Sequence, residues 1–417
     1  VIPTLPVSDE EFDGLMNRIP WEGCPSRLAV GVSGGADSLC LAWLLHRWGK
    51  KTGRKICALT VHHELACFPE EAVFSASLTQ TWGLDSICLP LASSLPKTGF
   101  QEAARLGRYE ALATWCHGES VPALLVAHHL DDQRETFCLR LGENSGALGL
   151  AGMQMRQEIW GLQVVRPLLS VPKDRLEATL QAAQIPWISD PSNQSSAYAR
   201  NRIRQKLANL PKDVLWFWDQ EIKRLGRHRA SFDQAVAQLF RDSSGVLMFP
   251  GYALLHWEAF EAASHELQRG LLQQLLFRVG GVSKHPSRRE SFDRALSVLS
   301  RPTSGRLTLG GCLLEKRRPR DRGKHSWDLW VFREWQRISP QIWPADHKHL
   351  LWDGRFLLER TNPEKARWVN PQGGAASGSP QAYAALPIVH PEEQVRWIHQ
   401  QSDFVTQKKI LQTFLPP

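Results

Sequence analysis

A chain of 417 residues with 42% hydrophobic and 22% charged side chains is too long for one ordinary core, and predicts two or three domains. No run approaches the roughly 18 to 20 apolar residues of a membrane span, and the first residues lack the basic-then-apolar layout of a secretory signal, so a cytoplasmic protein is expected. With 50 Lys and Arg against 42 Asp and Glu, the formal charge of +8 leans toward a polyanionic partner.

The elements begin with an apolar run, Leu28–Val32, that reads as a buried strand. It leads into Ser33-Gly34-Gly35-Ala36-Asp37-Ser38 and then a helix over Asp37–Trp48. Two readings of that hexapeptide stand side by side. It is either a plain strand-to-helix turn capped by Asp37 or Ser38, or an anion site in which backbone N–H groups close around phosphate. Further strands are expected at Lys55–His62, Ser86–Leu91, Ala123–His128 and Leu162–Pro167. Helices are expected between and after them, at Glu70–Trp82, Gln101–Cys116, Asp131–Leu141 and Lys173–Ala183. This alternation predicts an α/β fold with a doubly wound parallel sheet, and such sheets bind ligands beyond the carboxyl ends of their strands. Ser33–Ser38, His62–His63 and His128–Asp132 all fall at such ends, which strengthens the phosphate reading.

From Pro211 the pattern changes. Trp216–Leu239 and Trp257–Val279 read as long helices without parallel strands between them. Basic segments follow at Lys284–Glu290 and Glu315–His325 among short strand-like pieces, and Asn370–Leu386 is a low-complexity loop. The expected division is 1–210, 211–300 and 301–417. It makes a sheet domain, a mostly helical region, and a smaller basic α+β tail.

Side-chain chemistry adds candidates. Arg105 and Arg108, three apart on a helix, share one side and either solvate it or neutralise phosphate. Asp131, Asp132 and Glu135 open a helix, where acids are favourable for dipole reasons; Asp132 and Glu135 also share a face suited to a cationic amino acid. Arg200, Arg202 and Arg204 with Lys206 form either an exposed basic edge or a phosphate-contacting one. The eight cysteines (Cys24, Cys40, Cys57, Cys67, Cys88, Cys116, Cys138, Cys312) contain no CxxC pair. They read as buried thiols of a reducing compartment, with neither a zinc site nor an iron–sulfur cluster expected.

SGGADS has the form SGGxDS and resembles the signature of the N-type ATP pyrophosphatases, the PP-loop family. Four further segments are similar to those of the tRNA(Ile)-lysidine synthetase family. They are AARLGRYEAL (Ala103–Leu112), LLVAHHLDDQRETFCLRL (Leu124–Leu141), SGALGLAGM with VRPLL (Ser145–Met153, Val165–Leu169), and WISDPSNQSSAYARNRIR (Trp187–Arg204). Two positions depart from that pattern. His62–Ala66 keeps His63 but lacks the family's Gly and Arg, and Glu143-Asn144 replaces its Arg-Gly.

The resemblance implies a PP-loop ATPase fold of the adenine nucleotide alpha hydrolase type. It implies that ATP and L-lysine convert the wobble cytidine of a CAU-anticodon tRNA(Ile) to lysidine through an adenylated cytidine. Asp37, Arg108 and Asp132 would be catalytic, with Asp37 also on Mg²⁺. Ser33, Gly34, Gly35, Ala36, Asp37, Ser38, His63, His128 and Arg105 would bind ATP, and Asp132 and Glu135 the lysine. Arg200, Asn201, Arg202 and Arg204 would contact tRNA, and a homodimer is compatible with it. A tRNA thiolase of the same superfamily would need catalytic or cluster-binding cysteines, against which the missing CxxC argues.

Overall fold

The computed structural model describes residues 4–397, apart from 22, 24, 63–68, 92–99, 189–198, 243–245, 250–251, 281–288, 319–325, 335–337, 339–340, 344–348, 353–354, 360–366 and 370–393. His63 therefore lies outside the described residues, as do Asp190–Asn193, the low-complexity loop and the second half of the Glu315–His325 run. The chain divides into two compact units, residues 1–229 and 230–417. Among the described residues no helix is long and apolar enough to cross a membrane.

In the first unit the elements run α1 (Asp9–Asn17), β1 (Arg27–Gly31), α2 (Ala36–Thr52), β2 (Lys55–His62), α3 (Pro69–Thr81), β3 (Asp85–Pro90), α4 (Phe100–Gly118), β4 (Ala123–Leu125) and α5 (Leu130–Gly142). They continue with α6 (Ala147–Leu150), β5 (Arg156–Ile159), β6 (Leu162–Val165), α7 (Lys173–Ala182), α8 (Ala199–Ala208) and α9 (Lys212–Asp242), which runs on into the second unit. The sheet order is β3-β2-β1-β4-β6-β5, parallel except for the antiparallel edge strand β5.

Strands β1 and β4 are buried on both faces: Leu28, Ala29, Val30, Leu124 and Leu125 are shielded from water. That is why each reads as an unbroken apolar run instead of an alternating one. Leu39, Leu41 and Leu45 of α2, with Leu176 and Leu180 of α7, complete the core on one side. The chain leaves β1 toward β2 and returns on the other side at β4. A crevice therefore opens between the carboxyl ends of these two strands.

The second unit is built differently. Strands β7 (Val246–Phe249), β8 (Tyr252–His256), β9 (Gly305–Leu309), β10 (Cys312–Arg317) and β11 (Asp328–Arg333) form an antiparallel sheet in the order β7-β8-β11-β10-β9. Beside it run α10 (Trp257–Glu261), α11 (His265–Gly280) and α12 (Arg289–Leu299). Leu271, Leu272, Leu275, Phe292 and Leu296 of the helices share a core with Ala253, Leu255, Leu314, Leu329 and Val331 of the strands. Two small sheets follow, β12 (Gln341–Trp343) with β15 (Arg367–Val369), and β13 (His349–Trp352) with β14 (Phe356–Glu359) and β16 (Gln394–Trp397).

The helix expected over Trp257–Val279 is two helices. The chain leaves the helical path at Ala263-Ser264, and Ser264 Oγ then accepts the Leu267 N–H at 3.4 Å as the cap of α11.

Candidate active site

Ser33–Ser38 links β1 to α2. Gly34 adopts φ +84°, which an L side chain rarely tolerates, and Gly35 is the N-cap of α2 without a side-chain cap of its own. Ser38 turns back into the loop: its Oγ accepts Ser33 N–H at 3.1 Å, lies 3.2 Å from Ser33 Oγ, and donates to Gly35 carbonyl at 3.0 Å. The loop is thus preshaped by its own hydrogen bonds, with the N-terminus of a 17-residue helix behind it. Gly34 carbonyl also accepts Ile188 N–H at 3.0 Å, tying the loop to the chain that leads toward α8.

Asp37 stands in the first turn of α2. Its Oδ2 lies 3.5 Å from His129 Nε2 and 3.8 Å from Lys173 Nζ, whereas its Oδ1 is buried and accepts no hydrogen bond. Burial alone would raise this carboxyl. The hydrogen bond and charge of His129, aided by Lys173 and Arg204, outweigh it and hold Asp37 below the usual carboxylate range. His129 is the reciprocal case: burial would lower it, but Asp37, Asp132 and Asp131 together raise it above an ordinary imidazole. His129 Nε2 is also 3.5 Å from Asp132 Oδ2, so one imidazole bridges the loop acid and the first acids of α5.

The α5 acids have distinct partners. Asp131 accepts Lys173 N–H at 2.8 Å and Arg134 Nη1 at 3.0 Å, which holds it in place at the start of α7. Asp132 Oδ2 accepts the His129 N–H at 3.0 Å, capping α5, and its Oδ1 is 3.8 Å from Arg204. Glu135 is 2% exposed and paired with Arg204, which approaches it through both Nε and Nη2. Arg204, expected at tRNA phosphate, is in this structure the cation that neutralises the α5 acids. Asp132 and Glu135 do share one face, as their spacing predicts.

The other expected residues separate. Arg105 and Arg108 both stand exposed on α4, Arg105 lying over the Tyr109 ring at 5.6 Å. Arg202 is exposed on α8, while the side chains of Arg200 and Asn201 lie outside the described residues. His128 is held by Arg166, which is 2% exposed and donates from Nε to His128 Nδ1 at 3.2 Å. The same guanidinium donates to Gln154 carbonyl at 3.0 Å and Gln157 Oε1 at 3.2 Å. A donor on Nδ1 places the neutral ring's proton on Nε2.

Two residues of this arrangement were not singled out from sequence, Arg166 and Lys173, whereas His129 falls within the strand-end segment His128–Asp132. Only Arg166 carries a readable signal, as a lone cation in the apolar run Val164–Leu169. Gln133 joins α5 to the next segment, donating to Met153 carbonyl at 2.9 Å and accepting its N–H at 2.6 Å. Gly152 has φ +68°, and a Cβ there would lie 2.5 Å from Gln133 Oε1, so the segment needs glycine.

Among the described residues no cluster of three or more His, Cys, Asp or Glu could hold a metal unaided. Mg²⁺ asks for less, because it is ordinarily bound by one or two carboxylates together with substrate phosphates. The unpartnered Asp37 Oδ1 fits that requirement.

The PP-loop domain family matches residues 8–210. The tRNA(Ile)-lysidine synthase of Rickettsia bellii (strain OSU 85-389) is 29% identical over 360 residues, covering 85% of this chain and 80% of its own. That of Ruegeria pomeroyi is 34% identical over 337 residues, covering 80% of this chain and 77% of its own. That of Rickettsia akari (strain Hartford) is 28% identical over 364 residues, covering 85% and 81%. With the loop, the sheet order and the α5 acids in place, the chain belongs to the tRNA(Ile)-lysidine synthase family.

Proposed function

We propose that this chain ligates L-lysine to the wobble cytidine of a CAU-anticodon tRNA(Ile), consuming ATP and releasing AMP and pyrophosphate. The product would decode AUA instead of AUG and be charged as isoleucine instead of methionine. The observation that carries this reading is the meeting of a preshaped anion loop and an acid cluster in one crevice, with His129 Nε2 3.5 Å from both Asp37 and Asp132. Family membership supports the coarser statement, modification of tRNA by a PP-loop ATPase, and the cytoplasm as its place.

In the first step the cytosine 2-oxygen attacks the α-phosphorus, and the bond to pyrophosphate breaks. Backbone N–H groups of Ser33–Ser38 and the α2 N-terminus hold the phosphates. Asp37 Oδ1 would hold Mg²⁺, which when bound offsets phosphate charge. Arg105 and Arg108, exposed on α4, would meet the departing pyrophosphate, and His128, fixed by Arg166, would orient the nucleotide.

In the second step the lysine ε-nitrogen attacks the activated ring carbon, the carbon–oxygen bond breaks, and AMP leaves. The amine must be neutral to attack, yet its ordinary pKa is about 10.4, so proton removal accompanies attack. Asp132 is the acceptor we favour. Its side chain is 14% exposed against 2% for Glu135, and Arg204 is 3.8 Å from it instead of in contact. Glu135 would bind the incoming ammonium by sharing or exchanging Arg204. On α8, Arg200 and Arg202 with Asn201 are proposed for tRNA contact.

Incubating the protein with labelled lysine, ATP and either isoleucine or methionine tRNA transcripts tests all three substrates together. Label should enter the CAU isoleucine transcript alone, with stoichiometric AMP and pyrophosphate. Label in both transcripts, or in neither, would refute the assignment.

A further inference from the structure

Two of the large apolar side chains that the described surface leaves open are chain neighbours, Trp216 at 63% exposure and Phe217 at 62%. Both belong to α9. Its inward side is set by Ile222 and Leu225, which are buried, and by Trp218, whose ring lies 5.4 Å from Phe137. At 100° per residue the opposite side carries Trp216, Phe217, Gln220, Lys223, Arg224 and Arg227, all exposed. The outer face of α9 is therefore an aromatic pair followed by about one turn of positive charge. Glu221 pairs with Arg224 at 2.6 and 2.9 Å and offsets part of that charge.

Scattered exposed apolar residues are ordinary, but two adjoining rings continuous with a cationic stripe are not. The stripe is also braced to the crevice. Asp219, on the same helix, accepts Arg134 Nε at 2.9 Å and Nη2 at 2.8 Å, and Arg134 in turn donates to Asp131. Trp216 and Lys223 are about 10 Å apart along the helix at 1.5 Å per residue, so a ligand spanning them is an extended chain, not a small molecule.

We propose that this outer face of α9 is a docking strip for unpaired nucleotides of the tRNA, on the reading of the chain as a tRNA-modifying ligase. Bases stack on Trp216 and Phe217, and the phosphates run along Lys223, Arg224 and Arg227. The chemistry of both ends is complementary to a single strand: every base offers a face to an aromatic ring, and every nucleotide offers a charge to a cation. A base drawn out for reaction leaves its neighbours without stacking partners, and the two rings replace that loss.

The test compares full-length wild type, W216A/F217A, W216F and K223A/R227A. Each is titrated at several salt concentrations with a CAU-loop RNA hairpin and with a fully paired duplex of the same stem, and sedimentation velocity is run in parallel. W216A/F217A should lose about tenfold or more in hairpin affinity, with the salt slope and the duplex affinity unchanged. W216F, which keeps a ring, should retain most of the affinity. K223A/R227A should flatten the slope of log K against log salt by somewhat less than two.

Hairpin affinity unchanged in W216A/F217A would overturn the strip, as would equal losses on hairpin and duplex. A wild-type dimer that becomes monomeric in W216A/F217A would overturn it in favour of a second copy of the chain. If wild type still transfers lysine in those cases, the strip alone fails. If wild type neither binds the hairpin nor transfers lysine, the ligase reading fails with it.

Discussion

Lys316 of the second unit and the crevice of the first both hold charge away from water, but they use it differently. In the second unit Lys316 is 2% exposed and donates to Leu299 carbonyl at 2.7 Å and Arg301 carbonyl at 3.0 Å, with its ammonium 4.0 Å from the Trp257 ring centroid. Leu299 ends α12 and Arg301 lies two residues beyond it, so the lysine closes the helix terminus. His256 and Asp328, 2.8 Å apart, are a matched pair across neighbouring strands. Around the crevice of the first unit the charges are shared. His129 lies within 3.5 to 3.7 Å of three carboxylates, Arg204 serves both Glu135 and Asp132, and Asp37 keeps one oxygen without a hydrogen bond. A buried charge with fixed partners holds a fold together. One whose partners are shared or missing is ready to exchange them for a ligand.

The sharpest way to break that contrast is to change one charge in each unit. Asp37→Asn should lower pyrophosphate release by about 10²-fold or more, as loss of a charge-stabilising group commonly does. The variant should still fold with a modestly lower melting temperature, because the amide keeps an oxygen that can face His129 Nε2 while the charge paired with His129 and Lys173 is lost. Near-normal turnover in the folded variant would remove Asp37 from the mechanism. Lys316→Met should do the reverse. Losing the donor to the buried Leu299 carbonyl and the part-buried Arg301 carbonyl costs about 1–3 kcal/mol, read as a lower denaturant midpoint, while turnover of the folded enzyme stays within twofold. A loss of turnover without a loss of stability would mean that Lys316 is not the structural residue its contacts indicate.

Much of the first unit was legible because its sheet is parallel. Stretches such as Leu28–Val30 and Ile56–Thr60 are buried continuously, and the helices between the strands carry apolar residues at helical spacing. Strand β5 was not legible: Arg156–Ile159 is half-buried, and it pairs only with β6 after a tight turn at Trp160-Gly161. The expected boundary at 210 precedes Asp219, Ile222 and Leu225, which pack on α5 and its neighbours. Nothing local in α9 marks those three as belonging to the sheet domain. The antiparallel second unit was harder still, because strands such as Tyr252–His256 are short and abut helices.

In the site, motif spacing pointed to Asp37, Asp132 and Glu135. The role of Lys173 depends on the strand order, which brings α7 against α2 across more than a hundred residues of chain. Arg204 was legible as a cation but not as the partner of Glu135, since the pairing joins α8 to α5.

A smaller effect sharpens the comparison further. His129 titrates above its ordinary pKa in the folded protein, so its stabilisation is fully present below pH about 6.5 and is lost as pH rises through the raised value. Stability should therefore decline as pH rises above neutral, by about 1.4 kcal/mol for every pH unit that separates the folded pKa from the ordinary one. His129→Gln should flatten that decline. The check is chemical denaturation of both proteins from pH 6 to pH 9. An unchanged slope in His129→Gln would mean that the imidazole is not charged among its three acids.

The central claim is that one crevice serves two successive steps through different acids, Asp37 for adenylation and Asp132 for lysine transfer. Single-turnover reaction of Asp132→Ala with α-labelled ATP, lysine and the CAU isoleucine tRNA tests it most directly. AMP-linked tRNA should accumulate and persist, with little lysine incorporated, whereas wild type should convert it onward. If Asp132→Ala forms no AMP-linked tRNA, or transfers lysine at the wild-type rate, the division of labour is contradicted.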